Sequence, residues 1–420
     1  MGNAYIAQRG GTAGGGASKI EYDVPGDGQV RRDTLLPWPR SVSRAQTAAN
    51  ANGDLVVGGG GAHSGNNNQP VNDVVLVAQN GVQTSLTVLS TRRFQHTATP
   101  LGDDGIIFSG GWQGGDTNLR LSSTEKYDLN GLRTALTPLA EARYNLGGVT
   151  LGNGNALIFM GHLGSGWSSN VAEWYAPSGI KTVLTPFQHA DDLPFSARLE
   201  NGNVLVGGAA KIVYQYDLAG IHTTVGNVPR TVGTYSGTSP VSFWLYGTIG
   251  KGTLLLIGRQ TGASDILTID SSFVFSIVGQ TPAGLHTESQ AAPFANRSVL
   301  VGGGGISGTR TDFTAVYRYS QTTLRETITP LSVGRNIMAT GMLGNGQALF
   351  ISGQTFSPLA MSTVVERYSP SIAQIPVPAD TSFQFEEHAV PQTAPVQTVI
   401  TVQRPNSGWV EYPELAELNL

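Results

Sequence analysis

The stretch from Ser90 to Arg143 contains four segments of strand length, separated by turns. An alternating segment is followed by an apolar run that ends in a glycine pair, a third segment ends in Tyr-Asp, and a fourth follows an Asn-Gly turn. The four segments are residues 94–101, 106–108, 123–128 and 132–137. Period-two alternation, short apolar runs and Asn-Gly turns are typical of antiparallel strands joined by hairpins. The pattern therefore predicts one four-stranded antiparallel meander.

This unit recurs along the chain about every 50 residues. The first glycine after each apolar run is Gly10, Gly58, Gly110, Gly161, Gly207, Gly258, Gly302 and Gly353. A Tyr-Asp pair or a close variant follows in step, at residues 22–23, 127–128, 175–176, 216–217, 319–320 and 368–369. Asn-Gly turns precede the glycine-closed strand at residues 52–53, 153–154, 201–202 and 345–346. Because these landmarks keep one phase, the chain is built from an internal repeat.

A period near 50 residues with a double glycine and an aromatic-Asp pair resembles the kelch repeat, over residues 4 to about 378. The resemblance implies an all-β fold, a kelch-type β-propeller of four-stranded antiparallel blades. A four-stranded sheet buries both faces only between two neighbours, so such blades close into a ring. We expect the glycine pairs to adopt positive φ and the Tyr rings to wedge between adjacent sheets.

The two ends of the chain depart from the repeat. Residues 41–377 hold seven complete repeats, whereas residues 4–37 hold only the last three strands of a unit. We predict that this N-terminal partial repeat is an eighth blade whose inner strand comes from elsewhere, with seven blades plus an appendage as the alternative. Residues 1–378 are therefore predicted to form the propeller. Residues 379–420, rich in proline, are predicted to form an extended C-terminal arm.

Composition restricts the classes of partner. Of the 420 residues 55 are glycine, charged residues make up 13% and the net charge is −4. This balance gives no electrostatic basis for binding nucleic acid. The N-terminus lacks the apolar core of a secretory signal, and no apolar run approaches the ~18 residues of a membrane span. We therefore expect neither nucleic-acid binding, nor membrane insertion, nor export by the general secretory route.

No catalytic motif is found in the sequence. The chain has no H-E-x-x-H, no G-x-S-x-G and no Gly-Lys-Ser/Thr phosphate loop. By family resemblance, the copper radical oxidases that share this propeller rely on a Tyr–Cys crosslink, and the chain contains no cysteine. No catalytic residue, cofactor or metal site is predicted, although His63 and His162 follow glycine-closed strands and should face the same rim.

Arginines stand at the head of four predicted inner strands: Arg44, Arg93, Arg143 and Arg335. Because each begins an innermost strand, all four should point toward one mouth of the central channel. One interpretation is a pocket for an anion or acidic sugar, since guanidinium binds carboxylates bidentately. The other is structural, with each arginine bonded to carbonyls of neighbouring blades. We expect the structural interpretation to hold.

The loops after the glycine pairs share one face of a meander ring and provide a second set of candidates. Residues 62–71, 112–121 and 163–170 are rich in Gly, Asn, Ser and Gln, with isolated Trp112 and Trp167. Amide donors and flat apolar rings suit sugar or protein surfaces. The candidate ligand-binding residues are Trp112, Trp167, His63, Asn67, Arg93, Arg143 and Arg335.

Three functions remain compatible with these patterns. The first is a non-enzymatic component of a phage-type virion, in a tail, fibre or decoration protein, with a propeller face that binds a cell-surface glycan or protein. The second is a sugar-acid mutarotase or lyase that uses channel-mouth arginines with a carboxylate such as Glu141 or Glu288. The third is an intracellular interaction scaffold in the cytoplasm. Low charge, a Gly/Thr/Asn-rich surface and the absence of cysteine favour the first.

The C-terminal arm contains one β-branched segment, residues 396–402, and scattered aromatic residues. The segment could supply the missing inner strand of the first unit. Since no arginine or polar head precedes it, we instead expect the arm to bind other virion or assembly proteins by strand addition. The candidate partner-binding residues are Phe383, Phe385, Val399, Trp409 and Tyr412.

Overall fold

The structure is a computed structural model. It describes residues 19–23, 30–39, 42–64, 67–114, 119–164, 167–191, 194–199, 201–208, 212–228, 244–249, 253–258, 265–269, 272–280, 289–295, 298–306, 311–320, 325–356, 359–370, 372–376, 401–404 and 408–411. Within these ranges the chain forms antiparallel β-strands and no helix. No helix long and apolar enough to cross a membrane therefore occurs in them.

Two strands precede the first complete sheet: β1 (Lys19–Asp23) and β2 (Arg31–Thr34). Sheet I and its loop contain β3 (Gln46–Ala49), β4 (Leu55–Gly58), β5 (Gly61–Ser64), β6 (Asn67–Pro70), β7 (Val74–Val77) and β8 (Gln83–Ser85). Sheet II contains β9 (Thr97–Pro100), β10 (Ile106–Ser109), β11 (Thr124–Tyr127) and β12 (Arg133–Leu136). Sheet III and its loop contain β13 (Gly147–Thr150), β14 (Ala156–Phe159), β15 (His162–Gly164), β16 (Trp167–Ser168), β17 (Ala172–Tyr175) and β18 (Lys181–Val183).

Sheet IV contains β19 (Phe195–Arg198), β20 (Val204–Gly207), β21 (Ile212–Tyr216) and β22 (His222–Asn227). Sheet V contains β23 (Trp244–Ile249), β24 (Thr253–Gly258), β25 (Asp265–Ile269) and β26 (Phe275–Gln280). Sheet VI and its loop contain β27 (Gln290–Phe294), β28 (Ser298–Gly302), β29 (Gly305–Ile306), β30 (Thr311–Asp312), β31 (Val316–Tyr319) and β32 (Glu326–Ile328). Sheet VII and its loop contain β33 (Ala339–Met342), β34 (Ala348–Ile351), β35 (Gln354–Phe356), β36 (Leu359–Met361) and β37 (Val365–Ser369). The remaining strands are β38 (Ile372–Pro376), β39 (Thr401–Arg404) and β40 (Gly408–Glu411).

Each of the seven sheets has four antiparallel strands, and their inner strands form a closed ring. Contacts between inner strands run from β3 through β9, β13, β19, β23, β27 and β33, and β33 contacts β3 again. The second strands β4, β10, β14, β20 and β34 are buried along their whole length. Sheets packed on both faces require such continuous apolar runs. The prediction of an all-β propeller with four-stranded antiparallel blades is confirmed.

The N-terminal strand β2 closes the ring as the fourth strand of sheet VII. It pairs with β37, from Arg31 opposite Ser369 to Thr34 opposite Glu366. The predicted eighth blade is therefore wrong. The three-strand pattern of residues 4–37 suggested a unit of its own, but β2 finds its hydrogen-bond partner in the last repeat. The expected outer strand of that repeat, β38, pairs with β1 instead.

Residues Val30–Ser369 form one compact unit, and a second unit comprises Met1–Gln29 and Pro370–Leu420. The second unit contains the β1–β38 ladder and a hairpin between β39 and β40, in which Gln403 lies opposite Trp409. Only residues 401–402 of the predicted strand 396–402 lie in the described part of the chain. They belong to this hairpin and to no propeller sheet.

Recurring positions of the repeat explain how neighbouring sheets pack. The residues of the glycine pair in sheet II, Gly110 and Gly111, have φ of 64° and 104°, as expected for residues without a β-carbon. Tyr127, Tyr175 and Tyr368 are buried, and each hydroxyl donates to a carbonyl of the preceding sheet. The acceptors are the carbonyl oxygens of Thr87, Thr137 and Thr329, at 2.9, 2.6 and 3.0 Å. The Tyr rings thus lie between sheets, as predicted.

The meander gives the ring two different faces. Loops between second and third strands emerge on one side, which we call the hairpin face because four of these loops form short two-stranded hairpins. Turns between first and second strands, and between third and fourth strands, emerge on the other side, which we call the turn face.

Candidate ligand-binding face

Four aromatic rings form a continuous ladder across sheets II and III on the hairpin face. Phe94 and Trp112 lie 4.9 Å apart between ring centroids, Trp112 and Tyr144 are stacked at 6.0 Å, and Tyr144 and His162 are stacked at 4.9 Å. Phe94 is buried, and the other three rings are partly exposed. The ladder therefore places three partly exposed rings side by side on the hairpin face.

Backbone pairing places these four residues. Phe94 bridges Trp112, and Tyr144 bridges His162, so each pair consists of a residue entering an inner strand and a residue leaving a second strand. Gly111 and Gly161, at φ 104° and 113°, turn the chain immediately before Trp112 and His162. Because the same glycine turn recurs in consecutive sheets, two aromatic pairs come to lie side by side.

His162 has a fixed tautomer. The backbone N–H of Gly164 donates to His162 Nδ1 at 2.7 Å, so the proton of the neutral ring resides on Nε2, which remains available as a donor. Gly164 pairs in turn with Trp167, whose side chain is 72% exposed. An exposed indole of this size on a hairpin tip is a strong candidate contact residue.

Arg120 joins the ladder to this hairpin. Its backbone bridges Trp112, and its guanidinium lies against Gly164 so closely that a β-carbon on Gly164 would overlap it. Trp112, Tyr144, His162, Trp167 and Arg120 therefore form one patch, which we call the aromatic patch. It combines apolar ring faces with two hydrogen-bond donors.

Of the predicted ligand-binding set, Trp112 and Trp167 belong to the aromatic patch. His63 and Asn67 lie on the β5–β6 hairpin of sheet I, opposite Asn68 and Ser64 respectively. Their side chains lie outside what the structure describes. Of the predicted partner-binding residues, Trp409 lies on β40, and Phe383, Phe385, Val399 and Tyr412 lie outside the described residues.

Arg93, Arg143 and Arg335 have no exposed surface. Each pairs with a glutamate on the third strand of its own sheet: Glu125 at 2.5 Å, Glu173 at 2.8 Å and Glu366 at 2.8 Å. Burial lowers the pKa of all three guanidinium groups, and the paired glutamates act in the opposite direction. Their complete burial favours the structural interpretation over ligand binding, although their ion-pair partners are glutamates of their own sheet rather than the expected carbonyls of neighbouring blades.

We call each such arrangement a clasp, because the glutamate holds three elements together. It accepts the backbone N–H three residues before the arginine, at Ser90, Ala140 and Ser332. It also faces a cation on the fourth strand: Arg133, Lys181 and Arg32 lie 3.5, 3.2 and 3.5 Å away. Arg32 belongs to β2, which shows that the N-terminal strand reproduces the chemistry of an ordinary fourth strand.

Arg44 does not belong to this set. Its φ of 55° matches that of Gln95 and Asn145, which lie two residues after the clasp arginines. The glycine turn of sheet II donates an N–H to the carbonyl of Arg143 in sheet III. The equivalent glycine turn of sheet VII donates to the carbonyl of Val42 in sheet I. Val42 and Val75 are both buried in one apolar cluster, so an apolar pair replaces the ion pair there. Arg44 therefore lies two positions out of register with the clasp arginines.

Sequence reasoning missed Phe94, Tyr144 and Arg120. Phe94 and Tyr144 immediately follow the clasp arginines, and Trp112 and His162 follow the glycine turns. Aromatic residues at both of these positions in two consecutive repeats could have predicted the ladder from the sequence. Arg120 gave no such signal, because its position depends on loop geometry.

The turn face carries a different feature. A cavity of about 590 Å³ opens there, lined by turn residues of sheets I, II and III and by Arg198 of sheet IV. Its side chains include Asn50, Asp104 and Asn153. The described residues contain no group of three or more His, Asp or Glu that could hold a metal ion.

Comparison with known proteins supports the fold class. No family model matches the sequence, and no curated protein matches it. A fungal alcohol oxidase of the AA5 family, solved in complex with copper, is 17% identical with a TM-score of 0.59, covering 81% of this chain and 76% of the oxidase. Virginiamycin B lyase from Staphylococcus aureus, as an inactive variant with quinupristin, is 10% identical with a TM-score of 0.54, covering 81% of this chain and 99% of the lyase. At these identities the likeness establishes a β-propeller fold alone.

Proposed function

We propose that the protein is a non-enzymatic binding component of a phage-type virion, and that it binds a glycan through the aromatic patch. The observation that carries this proposal is the ladder of Phe94, Trp112, Tyr144 and His162 beside an exposed Trp167. Sugar rings present apolar faces that stack on such side chains, and their hydroxyls use nearby donors. A surface already ordered by ring stacking loses little conformational entropy on binding.

The kelch-type repeat pattern and the virion setting are proposed on sequence alone. Low charge, a Gly/Thr/Asn-rich surface and the absence of cysteine support them. In the same proposal, residues 379–420 anchor the protein to its assembly. The neighbouring genes provide the test: capsid or tail genes beside this one would support the setting, and sugar-catabolism genes would contradict it.

The enzymatic alternative gains no support from the arginines proposed for it. Arg93, Arg143 and Arg335 are enclosed in clasps, and Glu141 accepts a hydrogen bond from Ser169 at 2.6 Å beside one of them. Glu288 lies outside the described residues. No described residue therefore favours the mutarotase or lyase interpretation over binding.

Binding to an array of immobilised glycans tests the proposed function. Trp167→Ala and Trp112→Ala should each weaken binding about tenfold or more, since stacked aromatic residues dominate such contacts. The matched control is Ile180→Ala, which removes an aliphatic side chain that is 67% exposed on the turn face of sheet III. Equal binding by the wild type and by a folded Trp112→Ala/Trp167→Ala double variant would contradict the assignment.

A further inference from the structure

We infer that the aromatic patch selects carboxylated sugars, and that Arg120 binds their carboxylate. This inference rests on the proposed glycan-binding function and specifies its ligand class. It depends on the position of one guanidinium, on the charges around that group and on a second donor beside it.

The position of Arg120 is fixed by two sheets. Its backbone pairs with Trp112 in sheet II, and its side chain crosses to Gly164 in sheet III. Gly164 has φ of 85°, and any side chain there would displace the guanidinium. Glycine at this position therefore permits both the backbone conformation of the hairpin and the position of the Arg120 guanidinium. A long, flexible side chain is held over a partly exposed surface rather than left free in solvent.

The charge of Arg120 is not neutralised by any described carboxylate. Arg93, Arg143 and Arg335 are paired with Glu125, Glu173 and Glu366 at 2.5 to 2.8 Å. Among the residues of the described ranges, by contrast, no Asp or Glu lies within ion-pair distance of Arg120. A planar guanidinium can donate two parallel hydrogen bonds to one carboxylate. A sugar hydroxyl cannot accept such a pair, so the group favours a carboxylate.

His162 supplies the second donor. Its Nδ1 accepts the N–H of Gly164, the same residue that Arg120 contacts, so its Nε2–H is left to a ligand. Trp167, which pairs with Gly164, provides an exposed ring face next to both. A sugar ring stacked on Trp167 with its carboxylate toward Arg120 would use all three groups. A neutral sugar would use only the ring face and one donor.

The inference is tested with the full chain on an array of sialylated, uronate-containing, sulfated and neutral glycans. We expect the affinity for carboxylated glycans to exceed that for their neutral counterparts by about tenfold or more, because a charge-assisted hydrogen bond contributes about that much to binding. Calorimetry with 3′-sialyllactose and lactose then measures one matched pair. Arg120→Gln should remove the preference, so that 3′-sialyllactose binds no more tightly than lactose, and Arg120→Lys should retain only part of it. Gly164→Ala should reduce it without altering the arginine.

Arg198→Gln is the control, because it removes one exposed positive charge on the turn face. If neutral and carboxylated glycans bind equally well and binding still requires Trp167, the inference is wrong and the proposed function stands. A preference for sulfated over carboxylated glycans would also overturn the inference. If no glycan of any class binds, the proposed function fails and the inference with it.

Discussion

The clasp position of each sheet has one geometry, but different sheets fill it with different side chains. Sheets II, III and VII place an arginine and a glutamate there, sheet I places Val42 and Val75, and sheet IV places Asp191. A buried ion pair offsets much of its attraction by the desolvation of both groups, so apolar pairs of similar volume can replace it. Removing one partner alone leaves a buried charge uncompensated, which costs far more.

We predict that Glu173→Leu destabilises the protein by about 3–5 kcal/mol, because Arg143 would remain buried without its partner. The double variant Arg143→Met/Glu173→Leu should recover most of this loss, as sheet I already does with two valines. Urea unfolding measures both. Arg198→Met, an exposed arginine, should change stability by at most about 0.5 kcal/mol. A double variant as unstable as the sum of its singles would show that charge itself is required.

His96 is buried between the glycine turns of sheets I and II, and its ring lies 5.6 Å from that of Phe108. Burial lowers the pKa of His96 well below its ordinary value, and the positive charge of Arg93 lowers it further. The folded protein therefore holds this imidazole neutral at a pH where the unfolded chain already binds a proton. Leu146 and Met338 occupy the equivalent position in sheets III and VII.

We predict a loss of stability on acidification that depends on His96. Its contribution is fully present above about pH 6.5, the unfolded pKa, and falls by up to about 1.4 kcal/mol per pH unit below it. His96→Leu should remove this dependence, and thermal melts between pH 7.5 and 5 measure the difference. His222, whose pKa burial also lowers, adds a slope of the same sign that persists in the variant. Parallel pH profiles for the wild type and His96→Leu would contradict the prediction.

At the scale of strands and turns, glycine sets how closely the sheets approach. On the turn face, Gly102, Gly152 and Gly344 each donate their N–H to a glycine carbonyl of the adjacent sheet, at 2.9, 2.7 and 2.7 Å. A β-carbon on Gly152 would lie 2.6 Å from the Cα of Gly202. These turns therefore pack backbone on backbone, in addition to the side-chain contacts in the core.

We predict that Gly152→Ala destabilises the protein by about 1–3 kcal/mol, the usual cost of overpacking, because the turns of sheets III and IV must separate. Ser178→Ala changes an exposed turn of the same sheet and should have little effect. Guanidinium denaturation compares the two. If the alanine at position 152 leaves the midpoint unchanged, contact between the turns does not hold the sheets in place.

The four-stranded unit could be predicted from the sequence because each of its features depends only on residues close to one another in the chain. Asn-Gly turns, apolar runs and glycine pairs each specify backbone geometry within a few residues. The role of Arg44 could not be read in the same way, since the register of sheet I is set by Val42 and the glycine turn it meets. The aromatic patch was half predictable: Trp112 and Trp167 are conspicuous, whereas Arg120 acquires its place only through Gly164 of another sheet.

At the scale of the whole molecule, strand pairing across the termini was the least predictable feature. β1 carries a Tyr-Asp pair like a third strand, yet it pairs with β38. β2 looked like part of the same unit and instead completes sheet VII. The strand most distant in sequence was the correct partner for β2, and no periodicity specifies such a choice.

We predict that removing residues 1–34 destabilises the ring strongly, whereas removing residues 1–29 does not. The longer deletion takes β2 away, and with it the hydrogen bonds to β37 and the ion pairs Arg32–Glu366 and Asp33–Arg367. It also leaves β37 as an exposed sheet edge, which invites aggregation. Size-exclusion chromatography and melting temperature compare the two truncations. Equal behaviour would mean that β2 contributes nothing to closure.

Closure by β2 also governs when the protein can finish folding during its synthesis. Asp33 meets Arg367, which is 334 residues further along the chain. At roughly 5–20 residues per second, a ribosome needs on the order of 20–70 seconds to make that intervening length. Throughout that interval β2 has no partner strand, and six sheets can form before the seventh pairs with it. The ring therefore cannot close until the last repeat has been made, and the edge of β2 stays unpaired during this window.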